Sequence, residues 1–273
     1  MSRALALSSG WHYPLDWVWV ISQLGGVDGM TVLDAGAGIG LMQWLLAARG
    51  ANVISVDRSD RRCVPLHLVH RFRVSGSDPG NGPLTLAEIL GRRKSGIGWS
   101  KRLITLARSG VGEWRCRRAE ISRARGSVHL LRRDLAKLSS LPDSSVDLIV
   151  SISALEHNPT VDAIVAIVRE LRRVLRPGGR MLVTVSAALD ADWYYESAGA
   201  WNLSEASLRC IFGLGSEAPS NYSDFPTLMA SLRASSLLRR DLSLRYYVSR
   251  KSGMPFGRWK PMYVPVGISL TKA

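Results

Sequence analysis

The chain has 273 residues, of which 46% are hydrophobic, and a formal net charge of +14. This size suits one large α/β domain with a sizeable core. The three cysteines are widely spaced and form no C-x-x-C pair, which argues against a disulfide framework or a structural zinc site. The apolar run near the N-terminus is broken by polar residues, and no stretch approaches the roughly 20 apolar residues of a membrane span. Composition therefore predicts a cytoplasmic enzyme.

The positive charge is concentrated in one segment. Residues 58–133 contain 18 Lys and Arg against 5 Asp and Glu, whereas the rest of the chain carries 18 basic and 17 acidic side chains. This segment therefore holds nearly all of the excess charge, and its role needs an explanation of its own.

Apolar runs of strand length alternate with helical patterns along the chain. In chain order, the sequence predicts a strand at 31–34, a helix at 41–49, strands at 52–57, 128–134 and 145–153, a helix at 161–175 and a strand at 180–186. Gly50 is expected to end the first helix in a left-handed conformation, and the R-P-G-G run at 176–179 to end the second. Two β-like runs, 241–250 and 262–273, are expected to form a C-terminal hairpin.

This alternation predicts an α/β fold of the Rossmann-like, doubly wound type. We expect a mostly parallel seven-stranded sheet with an antiparallel C-terminal hairpin and a basic insertion between strands 2 and 3. Residues 1–273 are expected to form a single domain, with the insertion at about 58–127 and a lid-like segment at about 187–218.

A glycine-rich turn joins the first predicted strand to the first helix. Its glycines are Gly36, Gly38 and Gly40, and an acidic residue, Asp34, ends the strand. A dinucleotide fingerprint has its third glycine three positions after the second, where this chain has Leu41. The turn is therefore expected to hold another nucleotide-like ligand. Small residues in such a turn let the backbone approach a ligand closely.

The spacing D-x-G-x-G-x-G resembles motif I of the class I S-adenosylmethionine-dependent methyltransferases. Companion segments follow in the order of that family: Asp57 at the end of the second strand, Asp134 at the end of the third, S-A-L-E-H-N-P after the fourth, and a helix–turn–strand segment at 170–185. The resemblance is to the type 11 subgroup and covers roughly 31–57 and 128–186. Taken singly, each aspartate is at least as well explained as a strand-end or turn residue.

The resemblance implies a methyltransferase activity with S-adenosylmethionine as the cofactor. It implies that Asp57 accepts hydrogen bonds from the ribose hydroxyls and that the segment at Asp134 contacts the adenine. The cofactor-binding residues predicted in this way are Asp34, Gly36, Gly38, Gly40, Asp57, Asp134, Leu135 and Ser151.

The segment after the fourth strand carries the candidate catalytic group. Similar E-x-x-E-H segments in some methyltransferases hold a divalent metal, but here the first acidic position is Ser153, which leaves only Glu156 and His157. Since metal sites normally need three or more protein ligands, no metal is predicted. His157 is the candidate general base for a substrate hydroxyl, because imidazole titrates near neutral pH. The alternative is that His157 merely lines the pocket or caps the next helix.

Aromatic residues follow the fifth strand, where a loop is expected to overhang the ligand site of such a fold. Tyr194 and Tyr195, together with Glu156, are the candidate substrate-pocket residues, and Trp193 and Trp201 are further candidates for stacking on a substrate. The alternative for each aromatic residue is packing in a small satellite core.

The insertion mixes basic side chains with apolar ones. The apolar residues among the charges are Ile97, Trp99, Leu103, Ile104, Leu106 and Val111. This mixture fits an amphipathic element on an anionic membrane surface, phosphate-backbone contact with RNA, or a solvated lid without a special partner.

From these observations we predict methyl transfer to a small-molecule, glycan or lipid-linked acceptor, at a hydroxyl. The protein is expected to be cytoplasmic, with peripheral membrane contact if the insertion binds lipid. The first alternative is an RNA methyltransferase, and the second is a non-catalytic SAM-binding partner protein.

Overall fold

The computed structural model describes residues 1, 5, 7, 12–76, 82–92, 95–196, 198–215, 221–237, 239–240 and 261–273. The chain divides into two compact units. The first unit comprises Met1–Ser8 and Gly26–Asp134, and the second comprises Ser9–Gly25 and Leu135–Ala273.

The first unit contains four parallel strands in the order β3-β4-β2-β1. The strands are β1 (Thr31–Ala35), β2 (Asn52–Asp57), β3 (Val74–Gly76) and β4 (Ser127–Arg132), and the helices are α2 (Met42–Ala48), α3 (Leu66–Phe72), α4 (Leu86–Ile89) and α5 (Trp99–Arg118). Gly50 follows α2 with φ +93°. This confirms the predicted left-handed end of the helix, where glycine avoids the Cβ clash.

The second unit contains β5 and β6, which are parallel, and β9, which is antiparallel to β6. Its elements are α1 (Tyr13–Gln23), β5 (Val146–Ile152), a 3₁₀ turn (Leu155–His157), α6 (Val161–Val174), β6 (Leu175–Ala187), β7 (Trp193–Tyr195), β8 (Ala200–Asn202), α7 (Glu205–Phe212), a second 3₁₀ turn (Tyr222–Asp224), α8 (Phe225–Ala234) and β9 (Val264–Thr271). The lid-like segment thus contains the small β7–β8 sheet and α7.

Helix α6 shows how the local sequence sets an element. The Thr160 hydroxyl accepts a hydrogen bond from the Ala163 N–H at 3.2 Å and caps the helix, as expected of threonine at this position. The buried residues recur at the spacing of one helix face, namely Ile164, Ile167, Val168, Leu171 and Val174. The apolar face and the cap together explain why this stretch is a helix.

The predicted fold class is confirmed. Of the seven strands of this mostly parallel α/β fold, four belong to the first unit and three to the second, where β9 is the antiparallel edge beside β6. One of the seven is β3, which lies in the basic insertion and was not predicted. The first strand expected for the hairpin, 241–250, lies outside the described residues.

Helix α6 ends at Val174, just before the R-P-G-G run, as predicted. The run itself lies within β6, where the register with β5 shifts between Val146 and Leu148. In the insertion, Ile97 is buried and packs with Leu84 and Ile89. Among the helices that the structure describes, none has the length and apolar character of a membrane span.

Candidate functional site

The glycine loop is fastened to the end of the neighbouring strand. The N–H groups of Gly36 and Ala37 donate to the Val56 carbonyl at 2.9 and 3.1 Å, and the Gly38 N–H donates to Asp57 Oδ2 at 2.8 Å. Gly36 and Gly38 have φ values of +75° and +48°, a region that favours glycine. The loop and Asp57, which were predicted to share a cofactor, therefore lie together.

The Asp57 carboxylate carries a negative charge beside this loop. Its Oδ1 atom accepts hydrogen bonds from the Ser59 N–H at 2.8 Å and the Ser59 hydroxyl at 2.6 Å. Burial alone would raise the pKa of Asp57, but the hydrogen bonds from Ser59 and Gly38 and the charge of Arg61 lower it below its ordinary value. An ionised carboxylate accepts hydrogen bonds and does not donate them, which suits the hydroxyls of a ribose.

Beneath the loop lies a guanidinium group that sequence reasoning missed. Arg61 is only 7% exposed, and its Nη2 donates to the carbonyls of Ser55 at 2.6 Å and Leu131 at 3.2 Å. The Gln43 side chain donates to the Gly38 carbonyl at 3.3 Å. Composition placed Arg61 among the charges of the basic segment, and nothing in its local sequence distinguishes it from those surface residues. Its structural position makes it a support for the loop.

Asp34 lies near the end of β1 and is 3% exposed. Burial raises the pKa of its carboxyl to about 7, although the positive charge of Arg61 opposes the shift. A buried carboxylate of this kind gains most from a cationic partner. The ammonium and sulfonium groups of S-adenosylmethionine would supply such a charge, so the residues present fit this cofactor.

The remaining predicted cofactor residues are dispersed among different elements. Asp134 lies two residues beyond β4, and its Oδ2 atom is 3.9 Å from Nη1 of Arg58. Leu135, in the second unit, is 8% exposed, and Ser151 lies fully buried within β5. These assignments to the cofactor stay predictions.

The second unit contains a buried hydrogen-bonded chain at the start of α1. Asp16, which is 1% exposed, accepts at Oδ2 from Nδ1 of His12 at 2.9 Å and at Oδ1 from the Ser153 hydroxyl at 3.0 Å. Ser153 follows β5 with φ +43°, a conformation that is strained for a residue with a side chain. Strained backbone of this kind is concentrated at functional sites. The hydrogen-bonded residues His12, Asp16 and Ser153 are therefore candidates for accepting a proton from a substrate.

Glu156 lies in the same unit and is buried. Its Oε1 atom accepts from the Ser186 N–H and hydroxyl, both at 3.3 Å, while Oε2 has no partner among the described residues. Burial raises the pKa of this carboxyl above its ordinary value. In its neutral form Glu156 has one O–H to donate, so it can bind a polar acceptor group.

His157 is exposed, and its Nδ1 atom is 3.1 Å from the Gly199 carbonyl oxygen. Tyr194 is 41% exposed, and its ring packs against Trp201 with centroids 5.2 Å apart. Tyr195 is half-buried and has an edge contact with Trp193 at 5.9 Å. The aromatic residues therefore pack pairwise on β7 and β8, and their contact with a substrate stays a prediction.

Acidic, histidine and cysteine side chains are the usual protein ligands of a metal ion. In the part of the chain that the structure describes, no three of them come together as a group that could hold a metal ion. Glu156 and His157 have no third such ligand beside them there.

The sequence of residues 78–183 matches the family described as Methyltransferase domain. The matched range is about two fifths of the chain and includes β4, β5, α6 and most of β6. This segment of the chain is similar to methyltransferase domains of the type 11 family. The cofactor of this domain is S-adenosylmethionine, in agreement with the motif at Asp34. The matched range begins after Asp57, so the assignment of the glycine loop to the cofactor rests on its motif and its geometry and stays a prediction.

A segment of this chain resembles a curated enzyme. Over 48 residues it is 40% identical to a ubiquinone biosynthesis O-methyltransferase of Leptothrix cholodnii, which is 18% of this chain and 20% of that enzyme. The similarity therefore spans about a fifth of the relative's length.

Two solved structures are similar to this chain. The [4+2]-cyclase SpnF has a TM-score of 0.53 with 15% identity, covering 97% of this chain and 83% of the cyclase. An S-adenosylmethionine-dependent methyltransferase from Mesorhizobium loti has a TM-score of 0.47 with 16% identity, covering 93% of this chain and 97% of that protein.

Asp57→Ala is expected to weaken S-adenosylmethionine binding by about tenfold or more. The substitution removes charged hydrogen-bond acceptors, each worth about 1.5–3 kcal/mol, and releases the Gly38 N–H that positions the loop. Calorimetric titration of the purified protein measures the change. The matched control is Asp60→Ala, because Asp60 pairs with Arg62 at the surface of the same segment. Equal affinities for the two variants would mean that Asp57 is only a strand-end residue.

Proposed function

We propose that the protein transfers the methyl group of S-adenosylmethionine to a hydroxyl group of a small-molecule, glycan or lipid-linked acceptor. The methyltransferase domain supports the reaction class. The partial match to an O-methyltransferase favours oxygen as the methylated atom. The observation that carries the proposal is the buried chain from His12 through Asp16 to Ser153, because a hydroxyl, unlike an amine, has to lose its proton during methylation.

Each unit has its own task in this proposal. In the first unit, Asp34 and Asp57 hold the cofactor, and Arg61 supports the loop between them. When bound, the cofactor supplies an electrophilic methyl group, so the protein mainly has to position the acceptor and manage its proton. The residues for the acceptor belong to the second unit.

His12 is the proposed general base. The hydrogen bond between Nδ1 and Asp16 assigns the proton of a neutral imidazole to Nδ1, so that Nε2 is the proposed basic atom. The acceptor's O–H proton passes to Nε2, and the negative charge of Asp16 stabilises the imidazolium that results. Ser153 donates to the other oxygen of Asp16 and fixes its orientation. When it is protonated, which its raised pKa favours, Glu156 donates a hydrogen bond that positions the acceptor.

We expect His12→Gln to lower the rate of methyl transfer by about 10²–10⁴-fold, the usual contribution of a positioned base. The measurement is transfer of tritiated methyl to a panel of catechols, glycosides and fatty alcohols. The matched control is His157→Gln, which removes the hydrogen bond to Gly199 at the protein surface. Affinity for S-adenosylmethionine is expected to be equal in both variants. If His157→Gln abolishes transfer while His12→Gln does not, His157 is the base and the proposed role of His12 is wrong.

The two alternative functions have their own support. The concentrated positive charge of residues 58–133 favours an RNA acceptor, and transfer of labelled methyl to total RNA would establish it. The likeness to a cyclase shows that this fold also serves another activity. A protein that binds S-adenosylmethionine but methylates no acceptor, RNA included, would support the non-catalytic alternative.

A further inference from the structure

Helix α5 of the basic insertion has small and polar residues on its inner face. Its buried residues are Thr105, Ser109, Gly112 and Cys116. The Ser109 hydroxyl accepts from the Leu66 N–H of α3 at 2.9 Å. A Cβ at Gly112 would lie 2.1 Å from a ring carbon of His67, so α5 approaches α3 closely there. An ordinary surface helix has the opposite pattern, with large apolar residues inside.

Large apolar residues lie instead on the outer face of α5. The exposed fractions are 62% for Trp99, 60% for Leu103, 55% for Ile104, 48% for Val111 and 59% for Trp114. These residues, which we call the α5 stripe, occupy one side of the helix, since spacings of three and four residues return to the same side. Exposed apolar side chains grouped in this way mark an interaction site.

Basic side chains border the α5 stripe. The basic residues of the helix are Lys101, Arg102, Arg108, Arg115, Arg117 and Arg118. Its single acidic residue, Glu113, is paired with Arg71 at 2.5 Å and Arg117 at 2.7 Å. The guanidinium groups of Arg102 and Arg118 lie 5.2 and 5.5 Å from the rings of Trp99 and Trp114. The outer face therefore combines apolar groups with a strong positive charge.

We infer that α5 docks this protein on the surface of an anionic lipid bilayer. A helix whose apolar face carries tryptophans and whose borders carry Lys and Arg lies in the membrane interface, with the apolar side chains among the acyl chains and the cations at the headgroups. The inference goes beyond methyl transfer, because it concerns where the protein works and not which atom it methylates. It favours acceptors that are presented at a membrane.

The other partners fit the α5 stripe less well. A second copy of the chain would bring two rows of arginines together, and like charges at an interface are unfavourable. RNA would satisfy the arginines and could stack on the tryptophans. The aliphatic side chains of Leu103, Ile104 and Val111 cannot stack on bases, however, and would stay in water. Of these three partners, the lipid surface is the one that matches both the charge and the aliphatic groups.

The test is flotation of the full chain with vesicles of phosphatidylcholine alone and of phosphatidylcholine with about a quarter phosphatidylglycerol. Two variants divide the contributions: Leu103→Ser with Trp114→Ser removes apolar groups, and Lys101→Gln with Arg108→Gln removes charge. Val18→Ser, at a position 71% exposed on α1, and Arg49→Gln are matched controls. Thermal unfolding and S-adenosylmethionine titration establish that each variant is folded.

The wild type and both controls are expected to float with the anionic vesicles and to bind neutral ones at least about tenfold more weakly. The apolar variant should bind the anionic vesicles about tenfold or more weakly than the wild type at any salt concentration. The charge variant should lose binding mainly at low salt, because salt screens surface charge. The inference is overturned if the wild type does not float at low salt, if the apolar variant binds like the wild type, or if the stripe instead mediates RNA binding or self-association. Flotation does not involve methyl transfer, so failure here leaves the proposed reaction untouched.

Discussion

Replacing Asp34 with asparagine is expected to stabilise the cofactor-free protein above pH 7 and to weaken its binding of S-adenosylmethionine. Burial raises the pKa of Asp34 from 3.8 to about 7 in the folded protein. Ionising this carboxyl in the folded state therefore costs free energy, which asparagine avoids at every pH. The same substitution removes the negative charge that suits the cofactor's ammonium group.

The pH window of this effect follows from the direction of the shift. The folded protein keeps the Asp34 proton up to about pH 7, whereas the unfolded chain releases it near pH 3.8. The stability that the proton provides is therefore fully present below pH 3.8 and is lost as the pH rises to about 7. One pKa unit corresponds to about 1.4 kcal/mol. The rise of about three pKa units therefore corresponds to about 4 kcal/mol. At pH 8 we expect Asp34→Asn to raise the free energy of unfolding by up to about 4 kcal/mol, and at pH 4 to change it little.

Binding of S-adenosylmethionine should depend on pH in the opposite sense. Below pH 7 the affinity of the wild type is expected to rise with pH, by up to about tenfold per unit, because the cofactor favours ionised Asp34. The affinity should level off above pH 7, and Asp34→Asn should remove this dependence. Urea denaturation and calorimetry between pH 5 and pH 8 measure both effects, with Asp28→Asn at an exposed carboxylate as the control. If Asp34→Asn binds the cofactor as tightly as the wild type does at every pH, Asp34 does not contact the cofactor.

The sequence predicted those residues of the candidate site that lie at or near the ends of neighbouring strands, namely Asp34 and Asp57. Parallel neighbouring strands bring their carboxyl ends to one edge of the sheet, so Asp34 and Asp57, at or near the ends of β1 and β2, were expected to lie together. The glycine spacing then identified the loop that joins Asp57 through the Gly38 N–H. Local patterns were sufficient here, because each one belongs to a single strand–turn–helix unit.

The hydrogen bonds that link His12, Asp16 and Ser153 could not be predicted, because they join residues from distant parts of the sequence. Ser153 and Asp16 are 137 positions apart and meet only when α1 packs beside β5. Nothing in the local pattern at Asp16 distinguishes a buried hydrogen-bonded carboxylate from a residue that merely interrupts an apolar helix. The exposed apolar side of α5 was suggested by composition, but which residues turn inward was decided by the close approach of Gly112 to His67.

Arg61→Ala is expected to lower the free energy of unfolding by about 3 kcal/mol or more and to weaken S-adenosylmethionine binding strongly. Removing the guanidinium leaves the carbonyls of Ser55 and Leu131 without this donor. It also removes the positive charge that lowers the pKa of both Asp34 and Asp57. Loss of one member of a buried charged network usually costs about 3–5 kcal/mol, because the groups that remain are buried without compensation.

Two further variants separate this effect from a general loss of positive charge. Arg62→Ala removes the adjacent side chain, whose ion pair with Asp60 is partly exposed, and should change stability by about 1 kcal/mol or less. Arg61→Lys keeps the charge but loses the planar fork that reaches several acceptors at once, so it should restore only part of the stability. Urea denaturation and calorimetric titration measure both quantities. If Arg61→Ala is as stable and binds as tightly as Arg62→Ala, Arg61 does not support the loop; if Arg61→Lys restores both fully, its charge alone is sufficient.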